Sequence, residues 1–235
     1  MAGAIHSTGR VDYTTPPWIV SAVREFFINV RTLHGGSPCG IDLDPASNVD
    51  SVVDAKRNVI YDAGVNNIQL IEAAFNCATR SIAHEVEVAM FYGHEAGCRK
   101  IQPTFELGDG LAVSWAGLRV YCNPPFGKKK GEPGIAAWIA KAIAEAEADK
   151  DTEIILCIPD AIDTKPWKNG ILIKAQGRCQ LAKRVKFGGM KTSIPRSISL
   201  VYFGRNPIKF KHHFKKYGRV ENPSEVYADQ ADIIL

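Results

Sequence analysis

Apolar residues follow two patterns along the chain. Within residues 18–33 they recur three or four positions apart, which predicts an amphipathic helix, and an Ala-rich stretch at 135–148 predicts a second one. Nearly continuous apolar runs at 118–122 and 153–158 predict buried strands. Because a helical segment separates these strands, the pattern favours a Rossmann-like α/β fold with a mostly parallel sheet.

Weaker patterns complete the predicted architecture. Residues 40–44 predict a strand that runs into Pro45-Ala46-Ser47, and residues 54–62 predict another strand with its exit turn. Residues 179–187 and 197–203 predict late, partly antiparallel strands. Since there are no repeats or low-complexity linkers, we predict a single domain over residues 1–235, with an insertion at 63–106 and a basic C-terminal tail at 205–235.

The composition is that of a globular protein. Hydrophobic residues make up 46% and charged residues 23% of the 235 residues, and no apolar run approaches the ~20 residues of a membrane span. The first ten residues lack an apolar signal-peptide core, and the six cysteines have the irregular spacing of reduced thiols. We therefore predict a cytoplasmic protein. We also predict no metal site, because the spacing of the candidate ligands matches no common zinc module; they are Cys77, His84, His94 and Cys98.

Positive charge is concentrated late in the chain. Residues 164–220 carry 15 Lys and Arg and no Asp or Glu, whereas residues 1–163 carry 14 basic and 21 acidic side chains. A charge run often forms an ordinary solvated surface. A stretch this long without a carboxylate is more typical of a face that meets a polyanion, and it predicts a nucleic-acid partner.

The most informative stretch follows the predicted strand at 118–122 and reads Asn123-Pro124-Pro125-Phe126. The two prolines cannot continue a strand ladder and stiffen the loop. Such a loop presents one side-chain amide, one or two backbone carbonyls and an aromatic face. The amide oxygen and a proline carbonyl can accept both hydrogens of an exocyclic amine while the phenyl ring stacks on its base.

Acidic residues end the predicted strand at 40–44. Asp42 and Asp44 lie where open α/β sheets bind ligands, and a carboxylate there can accept hydrogen bonds from a ribose or an ammonium group. The glycine-rich fingerprint common at this position is replaced by Asp-Pro-Ala. An alternative role for Asp44 is as the N-cap of a following helix.

These pieces together resemble a known family. The tetrapeptide resembles the motif of amino-methyltransferases that use S-adenosyl-methionine (SAM), and the flanking pieces resemble phage-type DNA N6-adenine methyltransferases (Dam-like) in particular. The resemblance extends from about Tyr13 to Phe203 and is weakest at 62–106. The flanking pieces are Asp12-Tyr13-Thr14-Thr15-Pro16, Asp42-Leu43-Asp44-Pro45-Ala46-Ser47, Asp109-Gly110-Leu111 with Trp115, Ile158-Pro159, Trp167, and an Arg-x-x-Phe at 184–187.

The resemblance implies a SAM-dependent methyltransferase fold with an antiparallel late strand. It also implies site-specific methylation of adenine in double-stranded DNA, with a flipped base, by a phage- or prophage-encoded enzyme of the restriction-modification type that acts in the host cytoplasm. The catalytic residues would be Asn123, Pro124, Pro125 and Phe126. The SAM-binding residues would be Tyr13, Thr14, Thr15, Pro16, Asp42, Asp44, Pro45, Ala46 and Asp109. From the basic stretches we predict DNA contacts by Lys128, Lys183, Arg184, Lys186, Lys191 and Arg196.

Other functions share parts of this pattern. Methylation of adenine in RNA or of a glutamine amide in a protein uses the same Asn-Pro-Pro-aromatic device, although the basic stretch disfavours a protein substrate. A catalytically silent nucleic-acid-binding protein would keep the basic stretch but leave the Asn-Pro-Pro-Phe and Asp-Pro-Ala segments unexplained. The oligomeric state and the target sequence do not follow from these features.

Overall fold

The computed structural model describes residues 14–28, 40–48, 51–53, 55–60, 104–126 and 133–227. Within them an eight-stranded sheet lies at the centre, in the order β3-β2-β1-β4-β5-β7-β6-β8. The strands are β1 (Leu43–Ser47), β2 (Arg57–Ile60), β3 (Thr104–Leu107), β4 (Arg119–Cys122), β5 (Glu153–Pro159), β6 (Gly177–Leu181), β7 (Ile198–Phe203) and β8 (Gly218–Glu221).

The direction of the strands confirms the predicted fold class. Strands β1 to β5 are parallel, whereas β7 is antiparallel to both β5 and β6, and β8 is antiparallel to β6. The chain is therefore a Rossmann-like α/β protein with a mostly parallel sheet and antiparallel late strands. The strand order reverses between the neighbours β1 and β4, and such a reversal opens a crevice at the carboxyl ends of the strands. We call this side of the sheet the carboxyl edge and the opposite side the amino edge.

Helices cover both faces of the sheet. Helix α1 (Pro17–Ile28) packs on one face together with α4 (Pro207–Phe214), and α2 (Ile135–Ala148) packs on the other. A π-helical turn at Trp167–Ile171 leads into the short helix α3 (Leu172–Lys174), and α5 (Pro223–Val226) follows β8. Strand β4 and all but the last residue of β5 are buried, as their apolar runs predicted.

Some predicted boundaries differ from the structure. The predicted strand at 40–44 is displaced to β1, and its register with β2 shifts between Asp44 and Ser47, around Pro45, which has no amide hydrogen for the ladder. The predicted late strand at 179–187 ends at Leu181. Strand β3 occupies the last residues given to the insertion, and most of that insertion lies outside the described residues.

Residues 205–227 were predicted to belong to a basic C-terminal tail, but they fold onto the sheet. Phe210 and Phe214 are fully buried, and four residues apart they share one face of α4. Strand β8 then extends the sheet beside β6. In the described part of the chain, no helix is both long and apolar enough to cross a membrane.

Candidate active site

An open cleft lies at the carboxyl edge, where the strand order reverses between β1 and β4. It brings together the segment before α1, the segment after β1 and the loop after β4. The lining residues are Thr14, Thr15, Asp44, Ala46, Asn48, Ser51, Val53, Asn123, Pro124, Pro125 and Phe126. The structure therefore places all four predicted catalytic residues beside four of the predicted cofactor residues.

The Asn-Pro-Pro-Phe loop leaves the sheet directly after β4. All four residues of β4 are buried, whereas Asn123, Pro125 and Phe126 are only partly buried and face the cleft. The ring of Phe126 meets the ring of Phe187 edge to face, with centroids 5.4 Å apart and planes at 81°. Phe187 is itself 1% exposed, so it fixes one edge of the aromatic ring that the loop presents.

Asp44 contributes a buried carboxylate to the floor of the cleft. It is 3% exposed, and its oxygens accept hydrogen bonds from the Ala46 amide (3.2 Å) and the Ser51 hydroxyl (3.4 Å). Burial disfavours the charged form and raises the pKa of Asp44 to about 7, although these hydrogen bonds act in the opposite direction. The alternative N-cap role does not apply, because the strand continues past Asp44 to Ser47.

The segment before α1 forms one wall of the cleft. The hydroxyl groups of Thr15 and Tyr121 lie 3.0 Å apart in a hydrogen bond that ties this wall to β4. The Gly188 amide donates to the Thr14 carbonyl at 2.8 Å in an isolated antiparallel bridge. The carbonyl of Pro16 accepts hydrogen bonds from amides of the first helical turn, so Pro16 directly precedes α1 and caps its start. It is not one of the residues that line the cleft. Tyr13 lies outside the described residues.

Asp42 was predicted to bind SAM, but its carboxylate pairs with Arg119. Its carboxylate accepts hydrogen bonds from the Arg119 guanidinium at 2.9 and 3.2 Å and from the Arg119 amide at 3.0 Å. Both side chains are buried. Asp42 therefore joins β1 to the start of β4 through a buried ion pair, away from the cleft.

Asp109 and Pro45 lie next to the cleft without lining it. Asp109 is exposed after β3, and its carboxylate accepts a hydrogen bond from the Leu111 amide at 2.9 Å. A β-carbon at Gly110 would lie 1.8 Å from the Pro45 carbonyl oxygen. Only glycine allows this close approach, which packs the turn after β3 against the segment that follows Asp44.

Five of the six predicted DNA contacts lie on the connection between β6 and β7, residues 182–197, which we call the basic connection. Its five predicted cations are exposed, whereas Val185 and Phe187 are buried and anchor it. The connection begins at the carboxyl edge, and it reaches the cleft through Phe187 and Gly188. The cations are Lys183, Arg184, Lys186, Lys191 and Arg196. The sixth predicted contact, Lys128, lies outside the described residues.

The basic stretch as a whole does not form one face. Four of its 15 cations form ion pairs with carboxylates in the part of the chain that the structure describes. The buried Arg178 is the clearest case, because it contacts both Asp160 (3.0 Å) and Glu221 (2.6 Å). This is a correction to the single-face prediction. The other three are Lys174, Arg205 and Lys216.

Sequence reasoning missed several residues of the site. Asn48, Ser51 and Val53 line the cleft because they continue the segment after β1, and the polar Ser-Asn that follows Asp-Pro-Ala was the available signal. Nothing in the sequence indicated that Tyr121 would reach Thr15. Among the described residues, no group of three His, Cys, Asp or Glu is placed to hold a metal ion. The four candidate zinc ligands lie outside the described residues.

No protein-family model and no curated protein sequence matches the chain. Matching solved structures include the M protein of the type I restriction enzyme EcoKI, with a TM-score of 0.48 and 12% identity over 83% of this chain and 45% of that one. They also include the type IIL restriction-modification enzyme MmeI in complex with DNA (TM-score 0.39, 11% identity, 63% of this chain and 24% of that one). A third is SMU.472 complexed with SAH (TM-score 0.33, 11% identity, 64% and 32%).

None of the three names the phage-type Dam-like family. The chain spans less than half the length of each of them. Since the identities and TM-scores are low, these matches do not assign an activity, a substrate or a cofactor to the chain.

Proposed function

We propose that the chain is a SAM-dependent methyltransferase that modifies the exocyclic amine of adenine in double-stranded DNA. The observation that carries the proposal is the cleft itself. One crevice, at the reversal of strand order, holds both a buried carboxylate of β1 and the Asn-Pro-Pro-Phe loop after β4. A cofactor and an amine-bearing base would therefore meet between these two segments.

The residues of the β1 side fit the polar parts of SAM. When bound, SAM supplies an activated methyl group. Asp44 can accept hydrogen bonds from an ammonium or from ribose hydroxyls, and either partner would favour its ionised form over the protonated form that burial favours. Thr14, Asn48 and Ser51 add polar side chains to the same cleft. This chemistry suits a zwitterionic nucleoside better than an apolar ligand.

The β4 side fits an aromatic amine. The Asn123 amide oxygen and the Pro124 carbonyl can accept both hydrogens of the adenine amine. An aryl amine is a poor nucleophile because its lone pair is delocalised into the ring. Two acceptors fixed by adjacent prolines would favour a pyramidal nitrogen whose lone pair points away from the ring, so the loop acts by positioning and electrostatics without a covalent intermediate.

Phe126 would stack on the target base. Such a base is inaccessible within a duplex, and it has to leave the stack to enter a cleft of this kind. The edge-to-face contact with Phe187 holds the Phe126 ring in place before the base arrives. The basic connection, which carries Phe187, would bind the phosphates beside the extruded base.

The test is methyl transfer from labelled SAM to plasmid DNA, to RNA and to a protein pool in parallel, followed by sequencing that detects modified adenines. The proposal predicts label in DNA, located on the adenine amine. Label only in RNA or in protein would contradict it. Calorimetric titration with SAM separates an enzyme from a silent DNA-binding protein, because the latter would show no binding. The phage origin, the cytoplasmic location and the single domain stay predictions.

A further inference from the structure

The carboxyl edge carries a second basic and aromatic feature outside the cleft. It consists of Trp18, Lys215, Lys216 and Tyr217, and we call it the basic corner. Helix α4 runs from the end of β7 at the amino edge to the start of β8 at the carboxyl edge. The two lysines at its end are therefore exposed on the same side of the sheet as the cleft.

Aromatic contacts hold the basic corner together. The rings of Trp18 and Tyr217 are stacked, with centroids 6.1 Å apart and an interplanar angle of 26°. The ammonium of Lys216 lies 5.0 Å from the centre of the Tyr217 ring. Trp18 is nevertheless 40% exposed. An indole supported on one face by a tyrosine and open to solvent elsewhere is suited to packing against a partner.

The basic corner is continuous with the proposed DNA surface. The Ala182 amide donates to the Tyr217 carbonyl at 3.0 Å, so the corner adjoins the first residue of the basic connection. On its other side, Trp18 lies in the first turn of α1, directly after the segment that lines the cleft. Cleft, basic connection and basic corner therefore follow one another along a single edge of the molecule.

A purely structural role explains only part of this arrangement. Lysines are favoured at the end of a helix because they complement its dipole. Lys216 also lies 3.6 Å from Glu25, but both side chains are more than half exposed, and such pairs contribute little. Neither effect accounts for an exposed indole stacked beside the lysines, nor for their position next to the basic connection.

We infer that duplex DNA flanking the target base lies against the basic corner. Lys215 and Lys216 would bind its phosphates, and the exposed part of Trp18 would pack against the sugar-phosphate backbone. This inference rests on the proposed function and extends it, because it adds the end of α4 and the start of α1 to the DNA-binding surface. The duplex would then run from the basic connection past the entrance of the cleft.

Tryptophan fluorescence tests the inference directly, because three of the four tryptophans are at most 3% exposed. Acrylamide quenching at constant salt is measured with and without a saturating duplex, and Trp18→Phe identifies the signal of Trp18. We expect DNA to protect Trp18 from the quencher. If fluorescence anisotropy shows binding while Trp18 quenching is unchanged, the inference is wrong and the proposed function stands.

Charge variants give an independent readout. Removing two phosphate contacts with Lys215→Gln/Lys216→Gln should weaken binding and make the slope of log K against log salt less steep by up to about 1.8. The matched control removes two lysines near the amino edge, Lys150→Gln/Lys209→Gln, and should leave the slope unchanged. Equal slopes in the two double variants would overturn the inference. Failure of the wild type to bind any duplex would overturn the proposed function as well. If Trp18 becomes protected from the quencher as protein concentration rises without DNA, the basic corner is instead a surface for self-association.

Discussion

Asp44→Asn should make the free protein more stable while it removes the cofactor contact that we propose for this residue. The Asp44 carboxyl is 3% exposed, and burial raises its pKa from 3.8 to about 7. An asparagine keeps the shape and can still accept the hydrogen bond from the Ala46 amide, and the Ser51 hydroxyl can turn to accept from its NH2 group. The substitution therefore removes a buried charge without leaving a cavity.

The magnitude follows from the pKa shift. The shift is about three units, and at 1.36 kcal/mol per unit the ionised carboxylate costs the folded state at most about 4 kcal/mol; relaxation makes about 2–4 kcal/mol a realistic range. Between pH 3.8 and about 7 the native carboxyl holds a proton that the unfolded chain has lost. Wild-type stability therefore falls, relative to the variant, as the pH rises through this window.

Urea unfolding at pH 4, 6 and 8 measures the effect. The gain from Asp44→Asn should be near zero at pH 4 and largest at pH 8. Asp42→Asn is the matched control, since it breaks the buried ion pair with Arg119 and should destabilise by about 3–5 kcal/mol. A gain that does not change with pH, or a loss at pH 8, would refute the reasoning about Asp44. SAM binding by Asp44→Asn should fall at every pH.

Three further substitutions test other parts of the account. Phe126→Ala should weaken binding of the target base by ~1–3 kcal/mol, whereas Phe126→Tyr should retain much of the methylation activity because an aromatic face remains. Equal steady-state kinetics for the two variants would exclude a stacking role. Replacing Lys183, Arg184 and Lys186 by Gln should flatten the salt dependence of DNA binding by up to about 2.7 in slope, and an unchanged slope in a titration series would remove the basic connection from the interface. Gly188→Ala would place a β-carbon 1.8 Å from the hydroxyl of Thr14, so this cleft side chain would have to move. If the Thr14 hydroxyl then loses one hydrogen bond to SAM, SAM binding should weaken about fivefold. Wild-type affinity in calorimetry would contradict this.

The sequence predicted elements best where the local pattern is long and uniform. Helix α2 has the predicted bounds, and β5 extends the predicted strand by one residue. The bounds of β1 were missed because a proline lies inside that strand, where a shift in register accommodates it. The prediction of a C-terminal tail rested on the charge of this segment. It overlooked the four-residue spacing of Phe210 and Phe214, which places both side chains on one face of a helix.

The two aspartates after residue 40 show what local sequence leaves open. Asp42 and Asp44 are two positions apart in the same segment, and both were predicted to contact the cofactor. Their roles differ because Arg119, 77 positions away in the chain, forms an ion pair with Asp42 and leaves Asp44 in the cleft. Contacts between distant segments, such as the Thr14–Gly188 bridge, likewise have no local signature.

The central claim is that Asn123 orients the adenine amine for methyl transfer, and the single-turnover rate of Asn123→Ala on duplex DNA tests it most directly. Because the contact acts in the transition state more than in ground-state binding, the account predicts a rate on the order of a hundred- to a thousand-fold lower than that of the wild type. SAM affinity measured on the same variant should be nearly unchanged. A near-normal rate of adenine methylation would contradict the claim, since neither Pro124 nor Pro125 has a side chain that could replace the amide.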